Sequence, residues 1–131
     1  VKTLPPPIPI RVVDSITELQ PADAGCIALS GSHGGLSSAR YAIAARPCLS
    51  VFNDAGVGRE NAGIAGLDAL QAAGLAALTV SHTSACIGQA ASTLRDGIVS
   101  HSNPQALALG FETGKPLADQ LHIITNTRRH P

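Results

Sequence analysis

Four runs of small polar residues each follow a short apolar stretch. They are Ser30-Gly31-Ser32-His33-Gly34-Gly35, Asn53-Asp54-Ala55-Gly56, Ser81-His82-Thr83-Ser84 and Ser100-His101-Ser102-Asn103. Three of the chain's five histidines fall in these runs. Imidazole titrates near pH ~6.5 and so suits proton transfer at neutral pH. Asp54 can act as a base or orient a histidine. His33, Asp54, His82 and His101 are therefore the catalytic candidates, with His33 as the principal acid or base. Glycines after a strand let backbone approach a ligand, and the next helix start offers unpaired N–H groups. Gly31, Gly34 and Gly35 are accordingly expected to cradle an anion. Ser30, Ser32, Asn53, Gly56, Ser81, Thr83, Ser84, Ser102 and Asn103 are expected to bind it alongside them. Arg59 can close over the same ligand. The competing readings are a tight βα turn at 31–35 and an Asx turn at Asp54. Neither GxGxxG nor GxxxxGK[ST] is present, so no nucleotide fingerprint is met.

Cys86 follows another strand end, close to an expected helix start that would favour the thiolate, and is a candidate nucleophile. His33-Gly34 after one strand and Ala85-Cys86-Ile87-Gly88 after a later one resemble the caspase-like cysteine peptidases. In that family the histidine lies about 50 residues upstream of the cysteine. The resemblance is confined to those two short segments and implies a Cys86 nucleophile served by His33. The family's glutamine and arginine around the cysteine are absent here, and an extra strand, 48–52, separates the two motifs. A divalent metal held by three histidines is a further alternative, although no compact HxxxH spacing supports it. No other cofactor is expected.

The elements that must position these residues alternate. Strands are expected at 10–16, 26–30, 48–52, 76–80 and 98–100. Helices are expected at 36–46, 61–73, 87–95 and 104–109, with Pro47 and Gly74 as stops. Asn103 and Pro104 suit a helix cap and first turn. Residues 116–121 suggest a helix and 122–125 a strand. The rhythm predicts one α/β domain over 10–125, a Rossmann-like or flavodoxin-like layer sandwich with a mostly parallel sheet of about five strands. A proline-rich arm (1–9) would precede it and a frayed tail (126–131) would follow. In an open α/β sheet the four polar runs would share the carboxyl edge, where ligands bind.

Composition narrows the function. The chain has 131 residues, nine Lys and Arg against nine Asp and Glu, and 2% aromatic residues. Without a basic footprint or stacking platforms, nucleic acid is not an expected partner. No apolar run is long enough for a membrane span. The opening VKTLPPPIPI lacks the apolar core of a secretory leader. Three widely spaced cysteines suit neither a disulfide framework nor a zinc knuckle, and point to a cytoplasmic home. The expectation is a small enzyme of lyase, isomerase or hydrolase type, working by His/Asp acid–base chemistry on a small carboxylate or phosphate. The alternative is a non-catalytic metabolite- or nucleotide-binding regulatory domain, or a subunit of a larger assembly. The small-residue helix at 62–73 also suggests close packing in a homo-oligomer.

Overall fold

The computed structural model describes residues 8–124. Most of the expected arm and all of the expected tail lie outside them. Five strands form one sheet: β1 (Ile10–Val13), β2 (Ile27–His33), β3 (Leu49–Asn53), β4 (Ala76–Val80) and β5 (Val99–Ser102). Their spatial order follows the sequence, β1-β2-β3-β4-β5. β1 to β4 run parallel, and β5 is antiparallel to β4. The sheet is thus mostly parallel, as expected. Its order is not that of the Rossmann or flavodoxin arrangements, which reverse about a switch point.

The longer helices among the described residues are α1 (Leu36–Ala45), α2 (Ala65–Ala72), α3 (Ala90–Asp96) and α4 (Pro104–Leu109). α1 and α2 pack against each other on one face of the sheet. Residues Ala28, Ser50 and Ala77 sit side by side across β2, β3 and β4. This low row admits Ala39 and Ala42 of α1 and Leu67 and Leu70 of α2. The alanine content therefore serves close helix-to-sheet contact. The other face carries the larger residues Ile27, Leu29, Leu49, Val51, Leu78 and Val80. Leu94 of α3, Ala106 of α4 and Phe111, Leu117 and Ile124 cover it.

Several local expectations are corrected. The first strand stops at Val13, because Ser15 and Glu18 form a capping box over a short 3-10 turn. The strand expected to end at 30 continues to His33 with a register shift. Pro9 is part of the domain, since its carbonyl accepts the Ile27 N–H at 2.9 Å. Residues 122–124 are helical rather than a strand. The small-residue face of α2 is used inside the chain: Gly66 donates its N–H to the Gly34 carbonyl at 2.8 Å. A β-carbon at Gly66 would collide with the Gly35 carbonyl.

The reversal of β5 matters most. Residues 81–89 cross the carboxyl edge to β2, where the Gly88 N–H bonds the Gly31 carbonyl and the Ala90 N–H bonds Asp14 Oδ1. α3 then returns along the same edge, ending with Gly97 against Val80. Ser81 N–H meets the Ile98 carbonyl at 2.9 Å, so the chain enters β5 beside the end of β4.

Candidate functional site

Three of the four polar runs do reach the carboxyl edge. In the sheet register His33 stands opposite Asn53, and Asn53 opposite Val80. At the usual strand spacing this places the His33 and Val80 backbones about 10 Å apart, with His82 two residues further on. Of the fourth run only Ser100 joins them, with its hydroxyl beside Asp54. His101 pairs with Thr79 and Ser102 with Leu78, and the Asn103 N–H bonds to the Ala77 carbonyl at 3.0 Å. The antiparallel strand carries the residues after Ser100, His101, Ser102 and Asn103, away from the rim.

Asp54 is the centre of the rim. It follows β3, and its N–H donates to the Val80 carbonyl at 2.9 Å, extending the β3–β4 pairing by one step. Its side chain is 7% exposed. Oδ1 accepts the Gly56 N–H at 2.8 Å and the His82 N–H at 3.0 Å, and lies 3.4 Å from His82 Nδ1. Burial pushes the carboxyl upward, but the Gly56 N–H, the Ser100 hydroxyl and His82 outweigh it. The net result is a carboxyl held below its ordinary range. Ser100 Oγ also lies 2.9 Å from Thr79 Oγ1. Neither residue stood out among the candidates. Their traces in the sequence are Ser100, which opens the fourth polar run, and Thr79, a hydroxyl inside the otherwise apolar Ala76–Val80 strand.

His82 is about half exposed, at 54% of its side chain. Its ring lies over Gly56, with atoms 3.4 and 3.5 Å from where a β-carbon would stand. Gly56 has φ +75°. Glycine therefore meets two demands here, the left-handed backbone and room for the imidazole. The loop beyond is unusual. Ala55, Val57, Glu60 and Asn61 all have positive φ, a conformation costly to residues with a β-carbon, above all to a branched one. Asn53 anchors the start of this loop, its Oδ1 accepting the Ala55 N–H at 2.8 Å and its amide donating to the Ala85 carbonyl at 3.1 Å.

Within the run at 31–35, the N–H groups of Gly31 and Gly34 are taken up inside the chain. Gly31 and Gly34 donate their N–H groups to the carbonyls of Asp14 and Asn53. A β-carbon at Gly31 would overlap the backbone of Gly88 and Gln89, and one at Gly34 would stand 2.7 Å from the Gly63 carbonyl. These glycines admit neighbouring backbone, and their N–H groups are not open to an anion. Ser30 is buried and donates to the Val51 carbonyl at 2.7 Å. Ser32 accepts the Ile16 N–H at 2.9 Å. Ser81 and Ser84 bond to each other at 2.8 Å, Ser84 also accepts the Ile98 N–H, and Thr83 reaches Ser81 at 3.4 Å. Asn103 caps α4 through Ala106 N–H and also bonds Leu67, Leu75 and Ala77. These side chains brace the edge through hydrogen bonds within the chain.

His33 is exposed, its ring lying over Gly35. With Arg59, Glu60 and Ala62 it lines a cleft of about 310 Å³ beside the start of α1. Cys86 is exposed, but α3 begins only at Ala90, and no hydrogen bond joins Cys86 to His33. Cys86 therefore stands four residues before the first residue of α3 rather than at its start. Among the described residues no three His, Cys, Asp or Glu side chains gather as metal ligands, so the three histidines do not form the cluster that a shared metal would need. No helix among them is long and apolar enough to cross a membrane.

Comparison with known proteins places the chain in no group: no family model, no curated protein and no solved structure matches it.

Proposed function

We propose that the carboxyl edge of the sheet is an acid–base centre for a small anionic metabolite, a carboxylate or a phosphate. His82, rather than His33, moves the proton. The observation that carries this is the buried Asp54 carboxylate set against an exposed imidazole, with Oδ1 3.4 Å from Nδ1. An ionised Asp54 stabilises the imidazolium that forms when His82 takes a proton. With Nδ1 turned to Asp54, Nε2 is the nitrogen left for the substrate. His33 and Arg59, across the end of β3, offer positive charge and donors for the substrate's anionic group.

The test is NMR titration of the whole chain with a panel of small carboxylates and phosphorylated compounds, followed by assay of each binder for conversion or for deuterium uptake from heavy water. Binding that perturbs Gly56 and His82, with turnover lost in His82→Ala, is the expected result. Binding at the same residues with no chemistry in either form would make this a non-catalytic metabolite-binding domain. Binding indifferent to both His82→Ala and Asp54→Asn would overturn the proposal.

A further inference from the structure

The two edges of the sheet are finished differently. Beyond β5 the chain comes back along the strand: the Val99 N–H bonds the Lys115 carbonyl at 3.0 Å, and the Gly114 N–H bonds the Val99 carbonyl at 2.8 Å. Beyond β1 no strand follows among the described residues. The Pro9 carbonyl accepts the Ile27 N–H, and Ile10 stands beside Ile27 in the register. A parallel ladder then turns the backbone groups of Arg11 and Val13 toward β2 and those of Ile10 and Val12 outward. Ile10 and Val12 are also 44% and 46% exposed. Their side chains continue the apolar rows begun by Ile27 and Leu29. An open edge bearing exposed β-branched residues is a template for a further strand.

Length and charge select that strand. Pro9 has no N–H, and the Asp14 carbonyl is taken by the Gly31 N–H, so the free edge is confined to β1. Such an edge is matched by its own copy. Antiparallel pairing about a two-fold axis at Arg11 sets Ile10 of each copy against Val12 of the other. Each of these pairs exchanges both of its N–H···O bonds, and the apolar side chains meet on one face. The opposite face brings the two Arg11 side chains together, which bare like charges would oppose. Here Arg11 Nε lies 3.1 Å from Oδ1 of Asp23, whose side chain is only 15% exposed. Each guanidinium arrives with its own counter-charge, so acid and base alternate across the axis.

We propose that β1 pairs antiparallel with β1 of a second copy, giving a closed two-fold dimer with one continuous sheet. The test is sedimentation equilibrium of the full chain over a dilution series reaching about 1 mM, the weak end of specific association, with amide hydrogen exchange at both ends of the series. A monomer–dimer equilibrium is expected, with exchange at Ile10 and Val12 slowing as the dimer fills. Val12 is exposed and its N–H is not used by β2, so Val12→Lys and Val12→Pro leave the β1–β2 ladder intact. Each should weaken the dimer about tenfold or more, one by charge and the other by removing the outward donor. Asp23→Asn should weaken it most at low salt, where the two Arg11 charges are least screened. A chain that stays monomeric throughout would overturn the proposal. So would protection of Ile10 and Val12 that dilution does not change, which would mean that the same chain covers the edge. A dimer indifferent to both Val12 variants would place the interface elsewhere and overturn it equally.

Discussion

Asp54 and His82 are linked twice: Oδ1 of Asp54 accepts the His82 backbone N–H at 3.0 Å and lies 3.4 Å from the same residue's Nδ1. One carboxylate oxygen thus fixes both the loop after β4 and the ring it carries. Asp54→Ala leaves the Gly56 and His82 N–H groups without their acceptor. It should cost about 2–3 kcal/mol, as stranded donors do. Asp54→Asn keeps an oxygen in place and should cost about 1 kcal/mol. Urea denaturation of the two variants checks the order.

The same carboxyl sets an acid limb. Its value in the fold lies below the ordinary one, so the unfolded chain binds the proton more readily. The resulting stabilisation is complete above the unfolded carboxyl value near pH ~4 and disappears as pH falls through the lower folded value. The stability gap between the natural chain and Asp54→Asn should be constant above about pH 5 and narrow below about pH 4. Denaturation curves at a series of pH values measure it. A gap that widens on acidification would show the sign to be wrong.

Gly31 has a structural duty. Gly31→Ala pushes a β-carbon into the backbone of Gly88 and Gln89, where neither side can yield cheaply. A loss of about 1–3 kcal/mol is expected from overpacking, with amide shifts at 86–90 and little change at Asp54. Were 31–35 an open ligand loop, the substitution would leave stability unaffected.

Asn103 joins three elements, α2, β4 and α4, and the loop before β4. Its side chain bonds Ala77 N–H and Ala106 N–H through oxygen, and the Leu67 and Leu75 carbonyls through nitrogen. Asn103→Ala should cost about 3 kcal/mol or more, combining a lost cap with buried orphans. Thermal unfolding reads this directly, and a change below about 1 kcal/mol would contradict the network.

The thiols should separate by reactivity. Cys86 is exposed, whereas Cys26 is buried and its thiol is pushed up to about 11, first by burial and then by Asp23 and Cys48. An alkylating reagent at neutral pH should label Cys86 in the native chain, and Cys26 only after unfolding. Peptide mapping by mass spectrometry distinguishes them.

Much of the local structure was legible in the sequence. Apolar runs between Gly and Pro stops mark all five strands, and the Ala76–Val80 strand and Pro104–Leu109 helix match their expected limits. The polar residues at the ends of β2, β3 and β4 mark the carboxyl edge, because parallel strands must bring those ends together. Asp54 and His82 were legible as candidates for that reason. Tertiary structure decided three other matters. The direction of β5 depends on α3 running along the carboxyl edge from Asp14 to Val80, and that removes His101 from the rim. The work of Gly31, Gly34 and Gly66 depends on which backbone comes to rest against them, since a missing β-carbon looks the same before a turn, a ligand or a neighbouring strand. The partners of Asp54 depend on Ser100 and Thr79 meeting across β4 and β5. A one-dimensional pattern records a residue's preference for burial, turn or charge; which neighbour satisfies that preference is settled only when distant segments meet.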